Sequence, residues 1–144
     1  AALMYDEVTV AVSASYHKKL LFDAETRIKL VKEAVKGLKN VKVDSFNGLL
    51  VNYMKKNKKR IVIRGLRALS DFEYEFQLAL LNKKMVKNLE MVYLMTDEKY
   101  LYVSSSAVKE IAMHGGNTIK FVPKTAAIAL NKVYNKTFSY NKTL

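Results

Sequence analysis

Short apolar runs alternate with amphipathic stretches along most of the chain. Val8 to Val12, Val41 to Ser45, Ile61 to Ile63 and Met91 to Met95 are typical of buried strands. Because parallel strands must be joined by long crossovers, regular alternation with helices predicts an α/β fold with a doubly wound parallel sheet. In such sheets, ligands bind beyond the carboxyl ends of the strands.

The helices are predicted from capping residues and apolar spacing. Asp23 caps a helix that ends near Gly37, and Ser70 with Glu73 forms a capping box for another. The residues of that second helix expected to point inward are Phe72, Phe76, Ala79 and Leu80. Further helices are predicted from about 49 to 54, from 104 to Gly115, and from Pro123 to about Tyr134.

Chain length predicts one domain over residues 1–134, followed by a polar, frayed tail over 135–144. The 144 residues include no cysteine and only two histidines, which argues against disulfides, thiolate nucleophiles and a multi-histidine metal site. No apolar run approaches the roughly 20 residues of a membrane span, and no signal-peptide pattern opens the chain. We therefore expect a cytoplasmic protein without a protein-held metal.

The net charge of +12 has two interpretations. It could mark a nucleic-acid surface, but the lysines are scattered in short runs such as 55–56, 58–59 and 83–84. Cations near helix ends favour the helix dipole, so solvated helix ends are the preferred interpretation. The same field would attract a small polyanionic substrate.

The chain has only four arginines, and two of them, Arg64 and Arg67, stand three apart at the end of an apolar run. A guanidinium presents a planar fork of donors that suits phosphate or carboxylate. This spacing favours a phosphate-binding strand end, and the alternative is a surface turn with solvated arginines.

Other candidate residues lie in neighbouring predicted loops. Ser104, Ser105 and Ser106 could cradle a phosphate with the amides of a helix start, or one could be a cap and the others exposed. Lys18 could reach a phosphate, although a solvated side chain is the simpler interpretation. His114 is expected only as a cation at the end of its helix. Neither a GxxxxGK[ST] loop nor a GxGxxG fingerprint is present.

Several motifs then coincide with one known family. They are Asp44-Ser45-Phe46-Asn47-Gly48-Leu49-Leu50-Val51, Arg64-Gly65-Leu66-Arg67-Ala68, Asp71-Phe72-Glu73-Tyr74-Glu75, and Tyr100 through Ser106. Together they resemble the phosphopantetheine adenylyltransferase family, within the nucleotidyltransferase superfamily, from about Tyr5 to Tyr134. The serine motif alone would indicate only the superfamily.

The resemblance implies roles for individual residues. Lys18 and Arg64 would hold the phosphate of 4′-phosphopantetheine, and the backbone of Leu50 would line its pantetheine arm. Arg67 and Ser105 would lie near the triphosphate of ATP, and the family implies a catalytic role for them and for Lys18. The complete set implied to contact ATP is Gly65, Leu66, Arg67, Glu75, Tyr100, Leu101, Tyr102, Val103, Ser104, Ser105 and Ser106.

The implied reaction transfers an adenylyl group from ATP, with Mg²⁺, to 4′-phosphopantetheine, giving dephospho-CoA and pyrophosphate. The resemblance further implies a homo-oligomer, a hexamer in the family, and coenzyme A as a possible feedback ligand. Two alternatives remain open at this point: another nucleotidyltransferase of the same fold, and a basic module that binds nucleic acid.

One part of the family pattern is not found in this chain. The family opens with a strand, a G-[ST]-F-D-P turn and an N-G-H loop, whereas Ala1 to Asp6 match the end of its first helix. Without its central strand, the sheet is expected to form two half-sheets with unpaired inner edges. We expect these 144 residues alone to be unstable and impaired in adenylyl transfer. The test is to measure pyrophosphate release by the 144-residue chain and by a longer chain that includes an upstream segment.

Overall fold

A computed structural model of the chain describes residues 1–14 and 20–134, and for residues 69 and 70 only the backbone. Strands and helices alternate as the apolar pattern predicts. The elements are β1 (Val8–Ser13), α1 (Ala24–Val35), β2 (Val41–Phe46), α2 (Leu50–Lys56), β3 (Ile61–Leu66), α3 (Leu69–Met85), β4 (Glu90–Met95), a 3₁₀ helix (Glu98–Tyr100), α4 (Ser105–Met113) and α5 (Lys124–Val133).

The chain divides into two compact units, Ala1–Leu101 and Tyr102–Leu144. In the first unit, β1 pairs in parallel with β2, with Val8 opposite Val41, and β3 pairs in parallel with β4, with Ile61 opposite Glu90. Helix α1 connects the first pair and α3 the second, so each pair is a β–α–β unit. The α/β class with parallel strands is therefore confirmed.

The four described strands form two separate two-stranded sheets, in the orders β1–β2 and β3–β4. This is the pair of half-sheets that the resemblance to the family led us to expect. A cavity of about 720 Å³ lies between β1 and β3 and is called the inter-sheet slot. The facing edges of β1 and β3 have no strand partner among the described residues.

Helix α2 holds the two sheets together through the main apolar core. Its residues Val51, Tyr53 and Met54 are buried with Val62 of β3 and Leu89, which precedes β4. The residues packed around this cluster include Ala11 of β1, Phe46 of β2 and Met91 of β4. Burial of apolar surface from all four strands against one helix thus replaces direct pairing of β1 with β3.

A charged contact links the beginnings of the two sheets. Glu7, just before β1, accepts hydrogen bonds from Lys59 Nζ, just before β3, at 3.0 Å, and from Lys42 Nζ of β2 at 2.5 Å. These two bonds, that from Lys42 foremost, lower the pKa of Glu7 from 4.5 to about 2. The beginnings of β1 and β3 therefore lie at the same end of the unit.

The sequence prediction is wrong for part of α3. The helix begins at Leu69 with Ala68 as its N-cap, so Ser70 lies within the first turn and is not the cap of a capping box. Phe72, Phe76 and Leu80, predicted to point inward, are 44%, 49% and 56% exposed, and of the four predicted residues only Ala79 is buried. Apolar spacing identifies a helical face, but it does not show what covers that face.

In the second unit, α4 and α5 bury Val108, Ala112, Ala127 and Leu130. Helix α5 follows Pro123, which occupies its N-cap position. None of the helices in the described part of the chain is long and apolar enough to cross a membrane. The predicted tail, 135–144, lies outside the described residues.

Candidate functional site

The carboxyl end of β3 carries the residues that the sequence predicted to bind phosphate. The strand continues through Arg64 and Gly65 to Leu66, and α3 begins three residues later. A cavity of about 440 Å³ at this strand end is called the arginine rim, and the residues that line it are Arg64, Gly65, Arg67, Asp71, Tyr74 and Glu75. Four predicted site residues, Arg64, Gly65, Arg67 and Glu75, therefore surround one cavity.

Arg64 is held in place by Glu75. Arg64 Nε donates to Glu75 Oε2 at 3.0 Å, and Nη2 donates to Oε1, so the contact is bidentate. The Glu75 side chain is 9% exposed and that of Arg64 46%, so the carboxylate lies inside and the guanidinium reaches solvent. Hydrogen bonding to Glu75 raises the pKa of Arg64, which stays charged. Arg64 Nη1 has no hydrogen-bond partner among the described residues and is available to an anion.

Arg67 is positioned by a second carboxylate, one helical turn further on. Asp71 Oδ2 accepts hydrogen bonds from the Arg67 backbone N at 3.2 Å and from Nε at 3.1 Å. These contacts, the side-chain bond foremost, lower the pKa of Asp71. Because Asp71 also lies in the first turn of α3, its charge is favoured by the helix dipole as well. The rim thus presents two guanidinium groups, each oriented by an acidic residue of α3.

Sequence reasoning gave no site role to Asp71, Tyr74 or Tyr93. Tyr74 lines the arginine rim, and Tyr93 of β4 donates its hydroxyl to the Glu75 carbonyl at 2.9 Å, which ties α3 to the sheet. The separation of four residues between Arg67 and Asp71 could have revealed their ion pair. The hydrogen bond from Tyr93 to the Glu75 carbonyl joins residues 18 positions apart, so no local sequence pattern predicts it.

The serine-rich helix start lies in the second unit and is described by itself. Ser104 is the N-cap of α4, and its hydroxyl accepts a hydrogen bond from Ala107 N at 3.1 Å. Ser105 and Ser106 are exposed in the first turn of the helix. One of the three serines is therefore a cap, and the exposed pair can still offer hydroxyl and amide donors to an anion.

The remaining predicted site residues lie in both units, and each is described within its own unit. Leu50 begins α2 and packs against the core, while Leu66 is buried at 5% exposure, so only its backbone could contact a ligand. Tyr100 and Leu101 are exposed at the end of the first unit, and Lys99 Nζ lies 4.9 Å from the Tyr100 ring centre. Of the other two, Tyr102 makes an edge contact with Phe121 in the second unit, and Val103 is half-buried.

Lys18, for which the resemblance implied a catalytic and phosphate-binding role, lies outside the described residues. His114 follows α4 at its C-cap position, as the sequence indicated. The described residues contain no group of three or more histidine, cysteine, aspartate or glutamate side chains that could hold a metal ion.

Comparison with known proteins identifies the family. The family model described as cytidylyltransferase-like matches residues 1–111. A phosphopantetheine adenylyltransferase of Dictyoglomus turgidum is 50% identical over 135 residues, which cover 94% of this chain and 82% of the relative. That of Caldanaerobacter subterraneus subsp. tengcongensis is 49% identical, and that of Carboxydothermus hydrogenoformans 45%, each over 94% of this chain and 84% of the relative. The chain belongs to the phosphopantetheine adenylyltransferase family.

Membership of this family confirms the resemblance, the nucleotidyltransferase class and the α/β fold that the sequence predicted. The nucleic-acid module and another nucleotidyltransferase of the same fold are not favoured by these comparisons. The individual roles of the site residues stay predictions, because family membership identifies the reaction class and not the contact that each side chain makes.

Proposed function

We propose that this chain acts in adenylyl transfer from ATP to 4′-phosphopantetheine, giving dephospho-CoA and pyrophosphate. The observation that carries the proposal is the arginine rim, where two oriented guanidinium groups flank one cavity at the carboxyl end of a parallel strand. The relatives are phosphopantetheine adenylyltransferases, and we take the substrate from their name.

The proposed step is a displacement at phosphorus. A phosphate oxygen of 4′-phosphopantetheine forms a bond to the α-phosphorus of ATP, and the bond from that phosphorus to the oxygen bridging to the β-phosphate breaks. Pyrophosphate leaves with the electron pair. Such a step depends on positioning and on stabilising negative charge more than on proton transfer. Guanidinium groups fixed by Glu75 and Asp71 supply that kind of stabilisation without further reorganisation.

Within this proposal, Arg64 binds the phosphate of 4′-phosphopantetheine through Nη1, because Glu75 already occupies Nε and Nη2. Arg67 is assigned to the triphosphate of ATP, and the role of Ser105, which lies in the second unit, stays a prediction. Mg²⁺ is proposed to arrive with ATP as part of the substrate, and we assign it no protein ligand. Three expectations stay predictions. They are the phosphate-binding and catalytic role of Lys18, the competition by coenzyme A at the site, and the cytoplasmic location.

A homo-oligomer is also proposed, on the basis of α3. Phe72 and Phe76 stack with ring centres 5.7 Å apart, and both are about half exposed. Leu80 continues the same face one turn later and is 56% exposed. A contiguous apolar face of this kind is typical of a surface that is covered in an assembly, and a second copy of the chain is the proposed cover.

The decisive variant is Arg64→Ala. Calorimetry measures the binding of 4′-phosphopantetheine to the folded variant and to the unaltered chain. A hydrogen bond to a charged group contributes about 1.5–3 kcal/mol, so we expect affinity to fall by roughly 10- to 100-fold. Arg60→Ala is the matched control, because Arg60 precedes the same strand at its opposite end. Equal binding by the Arg64→Ala and unaltered chains would contradict the proposal.

A further inference from the structure

The end of the first unit opposite the arginine rim has no role in the proposed adenylyl transfer. Three connections there lead from the end of a helix to the start of a strand, and with the adjoining helix ends they comprise residues 36–40, 55–60 and 83–89. Because the strands of each pair are parallel and begin opposite each other, these connections lie at the amino-terminal edge of the sheets. The three segments are called the amino face.

A direct contact shows that the two sheets share this edge. Glu7, just before β1, accepts hydrogen bonds from Lys42 of β2 and from Lys59, just before β3. The starts of β1, β2 and β3 are therefore within reach of one carboxylate. The start of β4 lies beside that of β3 in their shared register. Connections that are far apart in the sequence are thus neighbours in the fold.

The amino face is strongly basic. It contains no aspartate or glutamate, and its side chains are exposed except for a few, among them the half-buried Lys59. Glu7, at the same end, is already paired with two lysines. The lysine runs that are scattered in the sequence are therefore gathered at one end of the unit. The cationic residues of the face are Lys36, Lys39, Lys55, Lys56, Lys58, Lys59, Arg60, Lys83, Lys84 and Lys87.

Two apolar side chains are exposed among these lysines. Leu38 is 47% exposed and Met85 is 44% exposed, and each has lysines on both sides in the sequence. By helical spacing, Met85 is not part of the apolar face of α3 that contains Phe72 and Leu80. The face thus combines a dense positive charge with apolar side chains at two of its three connections.

This combination distinguishes between the two common anionic partners. Proteins that bind single-stranded nucleic acid stack bases on aromatic side chains, and the amino face contains no aromatic residue. Exposed leucine and methionine gain nothing from a phosphate backbone in water. At a bilayer surface, however, such side chains insert at the level of the headgroups while lysines attract anionic lipids. The chemistry of the face therefore fits an anionic bilayer better than a nucleic acid.

We propose that the amino face binds the surface of a membrane rich in anionic phospholipids, with Leu38 and Met85 inserted among the headgroups and the lysines around them in contact with lipid phosphates. The arginine rim lies at the carboxyl end of β3, so it points away from the bilayer and stays open to the aqueous phase. The contact is peripheral, and the proposal does not depend on the assignment of adenylyl transfer.

Insertion is tested with tryptophan, because the chain contains none of its own. Leu38→Trp is compared with Leu49→Trp, since Leu49 is 56% exposed but lies between β2 and α2, at the carboxyl end of the strand. The probe is a phosphatidylcholine vesicle with roughly one-third phosphatidylglycerol and brominated acyl chains. We expect quenching of at least about twofold for Leu38→Trp and none for Leu49→Trp. Equal quenching of the two variants, or no quenching of Leu38→Trp, overturns the proposal.

The contribution of the lysines is tested with a matched pair of double variants. Lys39→Gln with Lys84→Gln removes two charges from the amino face, and neither lysine forms an ion pair among the described residues. Each lysine near an anionic surface contributes about fivefold to partitioning, so we expect vesicle binding to fall by at least about 25-fold in sedimentation.

The control double variant removes the same charge elsewhere in the unit. Lys29 lies in the middle of α1 and Lys99 in the 3₁₀ helix after β4, and both are exposed. We expect Lys29→Gln with Lys99→Gln to change vesicle binding by less than about twofold, because screening weakens charges about 10 Å from the surface. Equal losses in the two double variants, with circular dichroism showing that both are folded, would contradict the proposal.

A short DNA duplex is the competing probe. Tight binding of the duplex by a chain whose Leu38→Trp variant is not quenched by vesicles would identify nucleic acid as the partner and overturn the proposal. Binding to vesicles of phosphatidylcholine alone, at the same level as to anionic vesicles, would likewise contradict the role assigned to the lysines.

Discussion

At the scale of single residues, Glu75 shows how a buried carboxylate orients a side chain of the candidate site. Its carboxylate is almost fully buried, and a buried carboxylate is costly unless it is paired and hydrogen-bonded. Arg64 supplies that partner from β3. The pair therefore fixes the guanidinium in one orientation, which a solvated lysine at the same position would not provide.

Glu7 provides a test of charge at the residue scale. Its pKa is lowered to about 2 in the folded chain, from an ordinary value of 4.5. For a carboxyl whose folded pKa is depressed, the stabilising contribution is complete above 4.5 and is lost as pH falls from 4.5 toward 2. Glu7→Gln should therefore destabilise the chain near pH 6, and the difference from the unaltered chain should shrink as pH approaches 2.

Urea unfolding of both proteins across this pH range measures the effect of Glu7. Asp6→Asn is the control, because Asp6 is the adjacent exposed carboxylate and forms no ion pair among the described residues. A difference between the Glu7→Gln and unaltered chains that is constant with pH would show that the ion pairs with Lys42 and Lys59 contribute nothing.

At the scale of elements, boundaries follow capping chemistry where a cap is present. Asp23 accepts from Thr26 N at 2.7 Å and Ser104 from Ala107 N at 3.1 Å, and both helices begin where the sequence predicted. Helix α3 has no side-chain cap and begins before the expected serine. At the start of α3, Asp71 instead accepts a hydrogen bond from the Arg67 backbone N–H. This contact bridges the turn between β3 and α3.

The N-cap of α4 can be tested directly. Ser104→Ala removes the acceptor for Ala107 N, and loss of an N-cap costs about 0.5–2 kcal/mol of stability. We expect the midpoint of urea unfolding to fall accordingly. Ser106→Ala is the control, because Ser106 is exposed in the first turn and does not cap the helix. Equal destabilisation by both substitutions would mean that the hydroxyl of Ser104 is not the cap.

At the scale of the whole molecule, the exposed face of α3 concerns assembly. Leu80→Glu places a charge on the face formed with Phe72 and Phe76, and we expect it to abolish self-association because burying an unpaired carboxylate is costly. Sedimentation velocity measures the change. Gln77→Glu is the matched control, since Gln77 is exposed on the same helix but outside that face. A monomeric unaltered chain, or an oligomeric Leu80→Glu variant, would contradict the proposed homo-oligomer.

The division of the sheet was predictable from the sequence only through the resemblance to a family. The apolar pattern identified all four strands, because short apolar runs of three to five residues indicate burial locally. It could not indicate that β1 and β3 face each other across a cavity lined by α2, since such a contact depends on residues about 50 positions apart. The spatial arrangement of the strands in the two sheets is a property of the folded chain.

The sequence by itself determined the order of strands and helices, the family, and the residues gathered around β3, because apolar period, capping chemistry and short motifs act over a few neighbouring positions. Tertiary structure alone decided that Glu75 pairs with Arg64, that Tyr93 anchors α3, and that the face of Phe72, Phe76 and Leu80 lies exposed. These outcomes depend on which surfaces meet in the folded chain, and local sequence patterns do not show which distant residues come into contact.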